Sequence, residues 1–142
     1  MGIEYKSGYK YRLERSYKIE TGIKCESKST KKHSILRTKF LRLHPEGLLQ
    51  ILKGYCWDGP SGPTIDTCSF MRGSLVHDAL YQLMREGKLD RSCRKAADKL
   101  LHEVCLEDGM SRFRAWYVYR GVRRGAGKAV LAKSSRKVLL AP

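Results

Sequence analysis

The spacing of apolar residues changes period once along this chain, and the change falls on a single loop. From Tyr9 to Ile19, the apolar positions Tyr9, Tyr11, Leu13, Tyr17 and Ile19 recur at every second residue, which is the period of a strand. A second β stretch covers residues 34–43 and stops at His44-Pro45-Glu46-Gly47, a turn sequence with Pro early and Gly last. Residues 48–53 return as a further strand. Beyond residue 74 the period becomes helical, with Leu75, Val76, Ala79, Leu80, Leu83 and Met84 on one stripe. Between the two regimes lies GYCWDGPSGP, residues 54–63, with three glycines and two prolines in ten positions. Special dihedrals and proline's locked φ set such a backbone path, rather than hydrophobic burial. Sheet first and helices second predict an α+β domain: an N-terminal antiparallel sheet, two or three packed helices, and the Gly/Pro-rich loop folded over the first helix.

Boundaries follow from capping chemistry. Ser74 is the expected N-cap of a helix over residues 75–86, closed by Gly87, with Asp78, Tyr81 and Arg85 on its outer face and His77 on the border. Asp90 is the expected N-cap of a second helix reaching Leu106, with Asp108-Gly109 at its end. Its core face is Cys93, Ala96, Ala97, Leu100 and Val104, while Arg94, Asp98 and His102 stack at four-residue steps on the other side. A third helix covers residues 113–122 and is expected to be largely buried, with Trp116, Tyr117 and Tyr119 in the core rather than on a base-stacking platform, since the strand-exposed aromatic pattern of an RNA-binding sheet is absent. The domain is expected over residues 1–125, followed by a basic tail over 126–142.

The formal charge is +15, unevenly placed: +8 over residues 1–45, −2 over 46–109 and +9 over 110–142. Basic flanks attract polyanions, so nucleic acid or another anionic substrate is an expected partner, with Arg123, Arg124, Lys128, Lys133, Arg136 and Lys137 as the contacts. Solubility is the alternative use of that charge. Five cysteines, an odd number with no close CxxC pair, predict neither a disulfide framework nor a zinc ribbon. Cys93 and Cys105 are expected as reduced apolar fillers, in keeping with a reducing cytoplasm. No apolar run is long enough to predict a membrane span, and the N-terminus lacks the apolar stretch of a signal peptide.

Candidate chemistry gathers around the loop and the helix after it. Asp58, His77, Asp78 and Tyr81 are the candidate catalytic residues, expected around one concave pocket. Imidazole plus carboxylate also suits a divalent ion such as Zn, Mn or Mg, with His77, Asp78 and Asp98 as ligands. A looser zinc set is Cys56, Cys68 and His77. The alternative is a polar clasp in which these side chains brace backbone and loop, and Arg94-Asp98 is an i,i+4 ion pair. A purely ligand-binding pocket is the third reading, and all three stay open. The sequence has no GxSxG elbow, SxxK, phosphate-binding Walker loop or dinucleotide fingerprint.

The run WDGPSGPTID, followed by SLVHDALYQLMREG and then RKAAD, resembles the small phage and prophage proteins of the domain of unknown function 1353 family. That resemblance implies a phage or prophage origin and a shared site, and names no reaction. The His77-Asp78 dipeptide with a downstream Asp is also similar to the His-Asp phosphohydrolases. Those enzymes are all-helical and use a further upstream His, whereas His33 and His44 fall in expected β structure. Two functions from different classes follow as expectations. One is a phage-encoded accessory protein, metal-dependent and hydrolytic, acting on an anionic substrate in the host cytoplasm. The other is a non-catalytic virion or tail component that contacts DNA or neighbouring phage structural proteins through its basic flanks.

Overall fold

The computed structural model describes residues 5–6, 11–24, 34–57 and 68–125. Two antiparallel sheets come first. One has three strands, β1 (Tyr5–Lys6), β2 (Tyr11–Leu13) and β7 (Cys56–Trp57), in the order β1-β2-β7. The other has four, β3 (Tyr17–Glu20), β4 (Leu36–Arg37), β5 (Leu41–Leu43) and β6 (Leu48–Ile51), in the order β3-β6-β5-β4. Three helices follow: α1 (Cys68–Arg85), α2 (Arg94–Glu107) and α3 (Arg112–Gly125), with a 3-10 turn, Arg91–Cys93, ahead of α2. The α+β architecture, sheets before helices, is the one the sequence predicts.

Register follows the alternation of apolar residues. Tyr17 pairs with Ile51, Ile19 and Leu43 with Leu49, and Leu41 with Ile51, while Arg42 meets Gln50 on the opposite face. A slip of one residue would turn this whole apolar set to solvent, so the pattern holds the register. The inward side chains Leu13, Tyr17, Leu41, Leu43, Leu49, Ile51 and Trp57 form one core with Leu75, Val76, Ala79, Leu80, Leu83 and Met84 of α1. Each fully buried Leu or Ile there contributes about 1.5–3 kcal/mol relative to exposure. A second, smaller core of Phe70, Leu101, Cys105, Met110, Ala115 and Val118 joins the three helices.

Helix α1 begins at Cys68, so Ser74 is no N-cap. Its hydroxyl instead donates to the Met71 carbonyl (2.8 Å) and accepts from Trp57 Nε1 (3.1 Å), which satisfies a mid-helix serine without breaking the turn. The expected stop at Gly87 is found. There φ is +72°, with Gly87 N–H bonded to Met84 O and Lys88 N–H to Leu83 O, a Schellman closure that glycine reaches without a Cβ penalty. Asp90 caps the 3-10 turn rather than α2, accepting from Ser92 N–H at 2.8 Å.

Close crossing of α1 over α2 depends on Gly73. A Cβ there would stand 2.9 Å from both Cys105 Sγ and Leu101 Cδ1, so a larger residue would force those buried side chains to shift. That contact buries α1 on nearly all sides, and Tyr81, expected on an outer face, is 3% exposed. Ala96, expected in the core, is exposed.

Two further expectations are overturned. Phe113, Trp116 and Tyr117 are 75%, 52% and 55% exposed, because α3 turns only Ala115 and Val118 fully inward. Cys93 is disulfide-bonded rather than a reduced filler. Cys105 is the buried free thiol, and burial pushes its pKa up to about 12, so it stays protonated.

Candidate functional site

Ser74, His77 and Tyr81 lie one above the other on α1, separated by three and four residues, so one seam of the helix carries three polar side chains. Trp57, at the end of β7, donates to the first of them. Its ring, 5.5 Å from that of Tyr11, anchors the chain where residues 58–67 begin. Asp58, and with it the expected pocket wall, lies outside the described residues.

Asp98 of α2 takes up the rest of the seam. Its Oδ1 accepts from His77 Nε2 at 2.7 Å and from Tyr81 O–H at 2.5 Å. Its Oδ2 accepts from Arg123 Nη1 of α3 at 2.8 Å, and Arg94 Nε stands 4.0 Å away. An ionised carboxylate only accepts, so Nε2 of His77 carries its proton. Arg94 completes the group: its Nε donates to Tyr81 O at 3.2 Å, and one Nη2 donates to both the Val122 and Arg123 carbonyls at 2.9 Å. Those carbonyls belong to the last turn of α3, which has no intrahelical donors left, and a guanidinium is the favoured cation at that end. The His77 and Tyr81 rings are in contact, with centroids 4.0 Å apart and planes tilted by 37°.

The electrostatics follow from that wiring. Burial alone would raise the Asp98 pKa, but hydrogen bonds from His77, Tyr81 and Arg123 outweigh it and hold the carboxyl below the usual aspartate range. Tyr81 is pushed well above its usual value, first by burial and then by its bond to Asp98, so it remains a donor. Asp98 has no exposed surface and His77 is 7% exposed.

His77, Tyr81 and Asp98 are therefore brought together, a set that takes His77 and Tyr81 from the expected catalytic residues and Asp98 from the expected metal ligands. Asp78 points about 100° away around the helix from His77 and is half-buried. Among the described residues, no three His, Cys, Asp or Glu side chains are grouped to hold a metal ion. Arg123 turns inward to Asp98, whereas Arg124 is exposed. Lys128, Lys133, Arg136 and Lys137 lie outside the described residues. Arg94 and Arg123 are the members the sequence hid. Arg94 was visible only as an i,i+4 neighbour of Asp98, and Arg123 was one of nine basic residues after Met110 with nothing to set it apart. The face of α2 that bears Arg94, Asp98 and His102, opposite its expected core face, is where α3 docks, with His102 and Tyr119 rings in edge contact at 5.8 Å.

The family model described as protein of unknown function (DUF1353) matches residues 41–122, more than half of the chain. The chain belongs to this family. The matched span runs from β5 into the last turns of α3, so it contains His77, Tyr81, Arg94 and Asp98 and stops one residue short of Arg123. Comparison with curated proteins finds no match, and comparison with solved structures finds none either. No helix among the described residues is long and apolar enough to cross a membrane.

Proposed function

We propose that this is a non-catalytic, phage-encoded binding protein whose basic C-terminal region contacts a polyanion, and that the His77–Asp98 group is the clasp that seats α3. The observation that carries the reading is Asp98 itself. A carboxylate with no exposed surface, filled on both oxygens by donors from α1 and α3, offers no open position to a substrate. Nine basic and no acidic residues after Met110 then supply the attraction, with DNA or an acidic neighbouring subunit in a virion as the partner. Binding should weaken steeply with salt, because each neutralised phosphate releases counterions. Truncation after Gly125 removes Lys128, Lys133, Arg136 and Lys137, and should reduce the slope of log affinity against log salt by up to about 3.6 on duplex DNA. An unchanged slope and affinity would remove those four residues from the contact. A virion component should also copurify with particles.

A second reading, metal-dependent hydrolysis of an anionic substrate in the host cytoplasm, has one observation in its favour. Imidazole and phenol on a single carboxylate oxygen form a set able to relay a proton. In it Asp58, His77, Asp78 and Tyr81 act at the substrate, and Zn, Mn or Mg sits on His77, Asp78 and Asp98. Mn or Zn should then raise the melting temperature of the wild type and not of His77→Ala, since a ligand of the native state stabilises by mass action. Equal shifts in the two proteins would leave the clasp as the account of these residues.

A further inference from the structure

We infer that the outer face of α3 binds single-stranded nucleic acid, with bases stacked on Phe113, Trp116 and Tyr117 and phosphates held by the arginines beside them. The proposal rests on the reading that the C-terminal region contacts a polyanion, and it names the surface and the form of that polyanion. Phe113, Trp116, Tyr117, Arg120 and Arg124 recur at steps of three and four, so they share one side of the helix. Among the described residues, the large apolar side chains left exposed are these three rings. A cluster of three exposed rings on one turn and a half of helix is costly to keep in water unless something covers it.

Its chemistry selects the occupant. Every apolar side chain on the patch is aromatic, and every charge on α3 is an arginine: Arg112, Arg114, Arg120, Arg123 and Arg124, with no acid. The Arg120 guanidinium lies over the Trp116 ring, 5.7 Å from its centroid, so cation and π surface already share one spot on the helix. Phe113 and Trp116 rings are 6.2 Å apart and tilted by 33°, so they do not close on each other face to face. Flat π surfaces interleaved with guanidinium planes are what unpaired bases and their phosphates require, since every base has a face to stack. A duplex hides those faces. A second copy of the chain would oppose two helices rich in arginine and without acid, and like charges so placed repel. An interfacial membrane helix would be expected to present Leu or Ile along with its aromatics, and the patch has neither.

The test uses the full chain and three probes of equal length: an oligo-dT of about a dozen nucleotides, the matching duplex, and a single strand of abasic sites that keeps the phosphates and lacks the bases. Trp57 is buried and Trp116 half-exposed, so a fluorescence change on binding reports chiefly on Trp116. Oligo-dT should quench the emission and bind more tightly than either control. Affinity is read for every variant by the anisotropy of a dye on the probe strand. Trp116→Ala, a change at an exposed ring that leaves both cores intact, should lower oligo-dT affinity on the order of tenfold and abasic-strand affinity less than about twofold. Trp116→Phe should restore most of the loss. Equal affinity for all three probes, with no response to Trp116→Ala, would overturn the stacking site and leave the polyanion reading standing. Failure to bind any probe at low salt would overturn both. A blue shift on anionic vesicles with no response to oligo-dT would overturn it in favour of a membrane surface.

Discussion

Arg72 and Asp98 are the two charged side chains that this helical layer takes almost wholly out of water, and their surroundings are arranged in opposite senses. Arg72, on α1, is a buried cation. It donates to Tyr17 O (2.9 Å) of β3, to Asp108 Oδ2 (3.0 Å) and to Glu107 Oε2 (2.7 Å), and the two carboxylates are 21% and 64% exposed at their side chains. Asp98 is a buried anion. Only Arg123, 32% exposed, gives it a charged partner at hydrogen-bond distance, and its other donors, His77 and Tyr81, are themselves buried. The Arg72 group ties helix to sheet, has two counter-charges, and opens onto water. The Asp98 group ties three helices together and has one counter-charge close, Arg123 at 2.8 Å, and a second, Arg94, at 4.0 Å, while the carboxylate itself is fully buried. A buried ion is cheap to lose when its partners can be rehydrated and expensive when they cannot, so the two should fail differently.

The largest effect is expected at Asp98. Asp98→Asn keeps the shape and leaves Oδ1 to accept from His77 and Tyr81, but it turns an NH2 donor toward Arg123 and removes the charge facing that guanidinium, at a cost of about 3–5 kcal/mol in urea unfolding. Acid should reach the same loss by another route. Because the folded-state pKa is depressed, its stabilisation is fully present above the unfolded value and is lost as pH falls from there through the lower folded one. The acid limb of stability against pH should therefore be shallower in Asp98→Asn than in wild type. A limb of unchanged slope would mean that other carboxylates dominate it.

Arg72→Met comes next, at about 2 kcal/mol, since Glu107 and Asp108 regain water and only Tyr17 O–H is left buried. If this substitution costs as much as Asp98→Asn, solvent access does not separate the two groups. The outer partners give the smallest and sharpest contrast. Arg123→Ala leaves Asp98 without its near cation and should cost about 1–2 kcal/mol, whereas Glu107→Ala leaves Arg72 still held by Asp108 and should stay within about 0.5 kcal/mol. Equal costs for those two would sink the argument from redundancy.

Much of this was legible from residue order. Alternation at Tyr11, Leu13, Tyr17 and Ile19 marked strands, the stripe from Leu75 to Met84 marked the core helix, and Gly87 and Gly109 marked the helix ends. These are local facts, set by side-chain period and backbone dihedrals within a few residues. The grouping of His77 with Asp98 was readable because both lie at polar positions of periodic helices. Its character was not. Whether a polar helix face meets water or another helix depends on where a third element lands, and α3 landed on the face bearing Arg94, Asp98 and His102.

That placement also decided the aromatics. Period alone counts Phe113, Trp116 and Tyr117 as apolar and so assigns them to a core, but α3 has only one side to give. The small residues Ala115 and Val118 let it pack against Phe70, Leu101 and Cys105, while Arg123 and Arg94 fix its far end. Composition determined that the C-terminal region is basic and apolar in part, together with the sheet-then-helix order of the fold. Tertiary packing alone determined that one arginine turns inward to close a buried anion while three aromatic rings turn out, because the two sides of a helix are distinguished only by what it is packed against.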